Sequence, residues 1–150
     1  MISAYGSGFD ADPTLNHKAF LKYIELNEET KRHLIAIGGV GSLFTDSTHT
    51  TYCYETPEHP DFLREISKNI KLGIDELKKT SNVNWTVVCP SSFFDSEGAL
   101  TGNYEIGTEE QVIFNEAGES RVTYEDLAMA MLDIAEADNY NQKQITVLTK

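Results

Sequence analysis

Three short apolar runs along this chain stop at a glycine or a proline: Ile2–Gly6, Leu34–Gly39 and Trp85–Pro90. Each predicts a buried strand, and Val87-Val88-Cys89, which shows no polar alternation, predicts burial on both faces, as parallel pairing requires. The segments between them carry helical spacing. After Asp12-Pro13, the positions Leu15, Ala19, Leu21, Tyr23 and Ile24 predict a helix ending near Asn27. From Pro60 to Lys79, residues Phe62, Ile66, Ile70, Ile74 and Leu77 recur three or four apart and predict a second helix. Thr123 offers an N-cap with Asp126 three residues on, predicting a third helix to about Ala137 that buries Leu127, Ala130, Met131 and Ile134. Gln144–Leu148 predicts a closing strand. Gly41 to Pro60 reads as a long loop, and Ser91–Glu119 as irregular chain with short extended pieces at Tyr104–Ile106 and Gln111–Phe114. Strand alternating with helix makes this an α/β chain, a parallel sheet with flanking helices. In such sheets ligands bind outside the carboxyl ends of the strands, where these Gly, Ser and Pro residues fall.

Composition narrows the picture. At 150 residues and 40% hydrophobic, the chain buries one ordinary core, so residues 1–150 form a single domain. A formal net charge of −12, with no Lys/Arg cluster, argues against a nucleic-acid partner. No apolar run approaches membrane-spanning length, and Met1 leads directly into a strand and not a signal peptide, so a reducing cytoplasmic setting is expected. Cys53 and Cys89 have no metal-type spacing, and Cys89 sits in an apolar strand as a small hydrophobe.

Few side chains advertise chemistry. Gly38-Gly39-Val40-Gly41 lacks the spacing of a dinucleotide fingerprint and precedes polar loop where a helix would be needed; it marks a place where backbone approaches something closely. Ser42 either hydrogen-bonds a ligand or caps that turn. Ser91 and Ser92, after Pro90, have the same two readings. Phe93 and Phe94 either wall a flat ring or pack inward. The histidines His17, His33, His49 and His59 show no metal frame; His49 and His59, in the long loop, are the two to test. No Tyr-x-x-x-Lys pair opens the second helix.

The segments "ISAYGSGF", "HLIAIGGVGSLFTD", "NWTVVCPSSFF", "ALTGNY" and "ESRVTYEDLAMAMLDIAE" together resemble the atypical short-chain dehydrogenase-like proteins, the NmrA-like and NADH-flavin reductase-like group with an NAD(P)-binding Rossmann fold. The tail, from Leu100-Thr101-Gly102-Asn103-Tyr104 to Asp126-Leu127, is similar to the biliverdin-IX-beta reductases. The resemblance implies NADP or NAD as cofactor and a planar acceptor such as a flavin, with FMN as substrate. It places Ala4, Tyr5 and Gly6 beside the ribose-phosphate region, Gly38, Gly39 and Val40 at the nicotinamide, and Pro90, Ser91 and Ser92 at its carboxamide. Ser92 stands where the biliverdin reductases carry a histidine. The match covers the later part of the family pattern, with the N-terminal Gly-rich βαβ units missing. It therefore implies a partial Rossmann-like sheet, weak or no dinucleotide binding, a long apolar edge at Ile2–Gly6, and a homodimer that covers it. The alternative it leaves open is a non-catalytic NmrA-like regulatory or protein-interaction domain.

Overall fold

The structure is a computed structural model describing all 150 residues. Its frame is a five-stranded sheet formed by β1 (Ile2–Ser3), β2 (Leu34–Ile37), β3 (Trp85–Pro90), β5 (Tyr104–Gly107) and β7 (Lys143–Thr149), in the order β1-β2-β3-β7-β5. The first four run parallel and β5 is antiparallel to β7. Helices α1 (Thr14–Thr30) and α2 (Asp61–Lys78) follow β1 and β2, and α3 (Tyr124–Ala137) precedes β7. A separate parallel pair joins β4 (Phe93–Asp95) to β6 (Arg121–Thr123).

The unbroken apolar runs have the predicted cause. Along β2 and β3, Leu34, Ala36, Trp85, Val87 and Cys89 face a core shared with Phe20 of α1 and Ile74 and Leu77 of α2. Ile35 and Val88, with Ile145 and Val147 of β7, face Leu127, Ala130, Met131 and Ile134 of α3. Alternate residues thus enter opposite cores, and both must be apolar. Where α1 crosses α2 the contact is close: a Cβ on Gly73 would stand 2.5 Å from the Phe20 ring.

Several predicted bounds move. The strand expected over Ile2–Gly6 pairs only at Ile2 and Ser3, so the long apolar edge is a two-residue one, with Ile2 46% exposed and its outer edge unpaired among these residues. The chain leaves the sheet because Asn16 of α1 holds the next turn: its Oδ1 accepts from Ser7 N at 3.2 Å and its Nδ2 donates to Ser7 Oγ at 2.8 Å. Helix α1 continues past Asn27 to Thr30, stopping where Lys31 enters the left-handed region (φ 53°) and donates its N–H to Asn27 O. Phe62, assigned by spacing to the buried face of α2, is 67% exposed. Of Gln111–Phe114 only Gln111 makes a bridge, to Phe44, whereas the irregular stretch after Ser91 contains β4.

At the N-terminal ends of the strands His33 acts as a pin. Thr86 Oγ1 donates to Tyr140 O at 2.8 Å, so it accepts from His33 Nε2 at 2.8 Å, while His33 Nδ1 lies 2.9 Å from Asp138 Oδ1. Burial lowers the His33 pKa more than Asp138 raises it.

Near the other end, Asp126 is a fully buried clasp. The Thr123 cap holds its N–H at 3.0 Å, and its carboxylate accepts from Thr101 N and Oγ1, Gly102 N and Thr149 Oγ1 at 2.8–3.0 Å. Burial would raise its pKa, but the hydrogen bonds from Thr149, Thr101 and Gly102 prevail and hold it below the ordinary 3.8. A folded pKa below the unfolded one gives stability that is fully present above the unfolded value and lost as pH falls through the folded value. Asp126→Asn, which turns an amide donor toward existing donors, is expected to cost about 2–3 kcal/mol at neutral pH. Urea unfolding should show that gap shrinking below about pH 4; a pH-independent gap would contradict the clasp.

Candidate functional site

Parallel pairing from β1 to β3 carries their carboxyl ends to one side of the sheet. There the turn Gly38-Gly39-Val40 leaves β2 and enters a 3₁₀ turn, Val40–Ser42. Two depressions flank this turn.

The first, about 250 Å³, is floored by Ile37 and Gly38 and bordered by Ala4, Tyr5 and Gly6; α1 and α2 add Phe20, Tyr23, Ile66 and Ile70. Phe9 and Phe94 complete its walls. Most of its polar side chains are engaged: Asn16 holds Ser7, and Tyr23 Oη accepts from Ser3 Oγ at 2.7 Å. Burial raises the Tyr23 pKa. No charged residue lines it.

The second, about 280 Å³, lies between Val40 and Ser92 on one side and Cys53, Glu58, His59 and Leu63 on the other. Arg64 of α2 shapes it by gathering carbonyls of the long loop: it donates to Tyr54 O, to Thr56 O at 3.3 Å and to His59 O at 3.0 Å. The loop is further stiffened by a column of rings, His49 on Phe44 on Tyr52 on Tyr54, with Lys71 Nζ 4.5 Å from the Tyr52 centroid. His59 Nε2 meets Ser67 Oγ at 3.0 Å. Burial, then the nearby Arg64 charge, pushes its pKa down, so it is neutral at pH 7. Burial lifts the Cys53 thiol to about 11, leaving it unreactive.

The residues singled out by sequence divide between these depressions. Ala4, Tyr5, Gly6 and Gly38 border the first, Val40 and Ser92 the second, and Gly39 lies between them, its missing Cβ 3.4 Å from Ile70. Pro90 is buried. The hydroxyls of Ser42 and Ser91 turn inward: Ser42 Oγ donates to Gly39 O at 2.7 Å and Ser91 Oγ to Val147 O at 2.6 Å. Ser42 thus caps its own turn, the second of its two readings, whereas Ser91 ties the end of β3 to β7, a contact neither of its readings named. Gln144 closes the floor by donating to Ser42 O and Oγ, both at 3.1 Å, close to the buried Cys89. Phe94 lines the first depression and Phe93 is 59% exposed, so neither packs fully inward. Of the two histidines marked for testing, His59 reaches a depression and His49 belongs to the ring column.

Sequence reasoning missed Phe9, Asn16, Ile66, Ile70 and Ser67. Phe9 follows a strand-end glycine pair, which was a usable signal; the helix residues looked like ordinary core.

No protein-family model matches this chain. It is 33% identical to the "Uncharacterized protein YwnB" of Bacillus subtilis (strain 168) across 99% of its own length and 71% of that protein's. Among solved structures, a Streptococcus pneumoniae TIGR4 protein described as "a putative NADH-flavin reductase" superposes with a TM-score of 0.91 at 33% identity, over 99% of this chain and 70% of the other. A "putative epimerase" from Bacteroides thetaiotaomicron superposes at 0.83 and 25% identity, over 99% and 66%.

Gly38 is a tight point of the site, because a Cβ there would lie 2.6 Å from Cys89 Sγ and 2.7 Å from Val87 Cγ1. Gly38→Ala is expected to lose about 1–3 kcal/mol in chemical unfolding through overpacking. Gly6→Ala, with nothing within 4 Å, should unfold within about 0.5 kcal/mol of the parent; equal losses at both positions would refute this geometry.

Proposed function

This chain belongs to the NAD(P)-binding, Rossmann-like family of YwnB and the NADH-flavin reductase-like proteins, and from that membership we propose that it is an NAD(P)H-dependent oxidoreductase of the flavin-reductase type. One observation carries the reading: the carboxyl ends of β1, β2 and β3 gather Ala4–Gly6, Gly38–Val40 and Ser92 around two depressions that share a single turn.

The residues fit the flat parts of such a cofactor. Gly6 and Gly8 have nothing within 4 Å where a Cβ would stand, and Gly39 keeps the turn low, so a ring can approach main chain directly. Ala4, Tyr5 and Gly6 would flank the ribose, Gly38, Gly39 and Val40 the nicotinamide, and Ser92 with the Pro90–Ser91 main chain its carboxamide. Neither depression is lined by Lys or Arg, so a pyrophosphate there would meet backbone donors only, which favours weak affinity. A reduced nicotinamide held there would supply a hydride to a planar acceptor, with the proton coming from solvent. The protein's part is to hold both rings in register, which asks little of side-chain acids or bases and suits a site whose histidine is neutral and whose thiols are suppressed.

Titration with NADPH and NADH, each with and without FMN, is expected to show saturable binding and flavin-dependent loss of reduced-nicotinamide absorbance. No binding at millimolar cofactor would contradict the reading and favour the second one, a non-catalytic interaction domain of the NmrA-like sort.

Exposed apolar side chains near β1 support that second reading and also a homodimer in either case, since Ile2 and Tyr5 are each 46% exposed. Light scattering at micromolar concentration should give twice the 16.8 kDa chain mass; a monomer would contradict the dimer.

A further inference from the structure

We propose that α1 forms the seam of the homodimer: the helix lies antiparallel on the same helix of a second copy, the basic first half of each against the acidic second half of the other. The seam rests on the homodimer proposed above and adds to it the surface and the means of recognition.

The helix has an apolar stripe outside the core. Its buried residues, Asn16, Phe20 and Asn27, mark the inner face, and Phe20 packs against Gly73 of α2. Leu15, Lys22, Leu26 and Glu29 follow one another at intervals of seven, four and three, which places them within about 60° of each other, away from that face. All four are exposed, Leu15 at 37% and Leu26 at 36%. The hydrogen bond from Ser3 to Tyr23 ties α1 to β1, the last strand of the sheet, so no strand lies beyond this stripe.

Charge selects the occupant. A formal net charge of −12 opposes self-association over most of the surface. The outer face of α1 is an exception: Lys18 and Lys22 stand in its first half, Glu25 and Glu29 in its second, and all are exposed. That gradient sums to zero and complements itself when reversed, as a two-fold contact between identical patches requires. Antiparallel packing also aligns the two helix dipoles favourably. Within one chain Lys18 lies 3.8 Å from Asp12 and Lys22 2.8 Å from Glu25, exposed pairs that cost little to exchange. Helix α3 is the contrasting case. Met129 and Leu132 are exposed there too, but Glu125, Asp133 and Glu136 flank them and the helix has no Lys or Arg, so a second copy of that face is repelled.

Sedimentation equilibrium of the full chain at low ionic strength tests the seam with two double variants. Lys18→Glu/Lys22→Glu makes the face wholly acidic, and Glu25→Lys/Glu29→Lys makes it wholly basic. Each alone should weaken its dimer about tenfold, and mixing the two in equal amounts should restore the affinity of the parent, because opposite faces then meet. The basic variant is the sharper probe. It moves the net charge toward zero, so general repulsion alone would strengthen its dimer where the seam weakens it. Circular dichroism should match the parent in both, since Lys and Glu have similar helix propensity. A parent that stays monomeric at micromolar concentration sinks the homodimer and the seam together. A dimer that ignores both variants, tightens in the basic one, or is weakened in both and not restored by mixing overturns the seam and leaves the homodimer.

Discussion

Burial of β3 on both faces is the constraint from which the rest follows. All six residues from Trp85 to Pro90 are buried, flanked by β2 on one side and β7 on the other. A central strand so placed needs apolar side chains at every position, helices above and below, and parallel neighbours that share its direction. Shared direction then decides where function resides. It puts the exits of β1, β2 and β3 on one side of the sheet, because the ladders hold Ile2 to Ile35, Ser3 to Ala36, Leu34 to Trp85 and Ile37 to Val88.

The two ends of the sheet are built differently. At the amino ends, His33, Thr86, Asp138 and the Tyr140 carbonyl tie three segments into one polar knot, and Leu34 N donates to Asn84 O beside it. At the carboxyl ends the polar groups of Ser42, Gln144 and Ser91 are spent beneath the surface, fixing the floor and leaving main chain, aromatic rings and small residues above it. A rigid base under a plain, uncharged cleft suits chemistry done by bound rings. The long loop from Gly41 to Pro60, which length alone would mark as mobile, is ordered by stacked rings and by Arg64 reaching into its carbonyls.

Period and punctuation made much of this legible. Trp85–Pro90 matches β3 residue for residue, the Thr123 cap appears as expected, and the Asp61–Lys78 helix lies one residue inside its predicted bounds at each end. Illegible features were those whose cause is tertiary. β4 and β6 are three residues each and find one another across 28 positions, too short for any periodicity. Ile2–Gly6 has a strand's composition, but Asn16 pulls its second half away. Phe62 has a core residue's spacing and stands outside because Phe9, not the sheet, is its neighbour. That a turn leaves the sheet at Gly38 and Gly39 was legible because the apolar run stops there; that Ser42 and Ser91 face inward depends on Gly39 O and Val147 O, which no local pattern reveals.

Amide chemical-shift mapping by NMR during addition of NADPH probes the central claim directly, because it reports position independently of turnover. The account predicts that perturbed amides cluster at Ala4–Gly8, Gly38–Val40 and Ser92, on the carboxyl side of the sheet. Perturbations gathered instead around Ser81–Asn84 and Asn141–Gln142, at the opposite end, would contradict it.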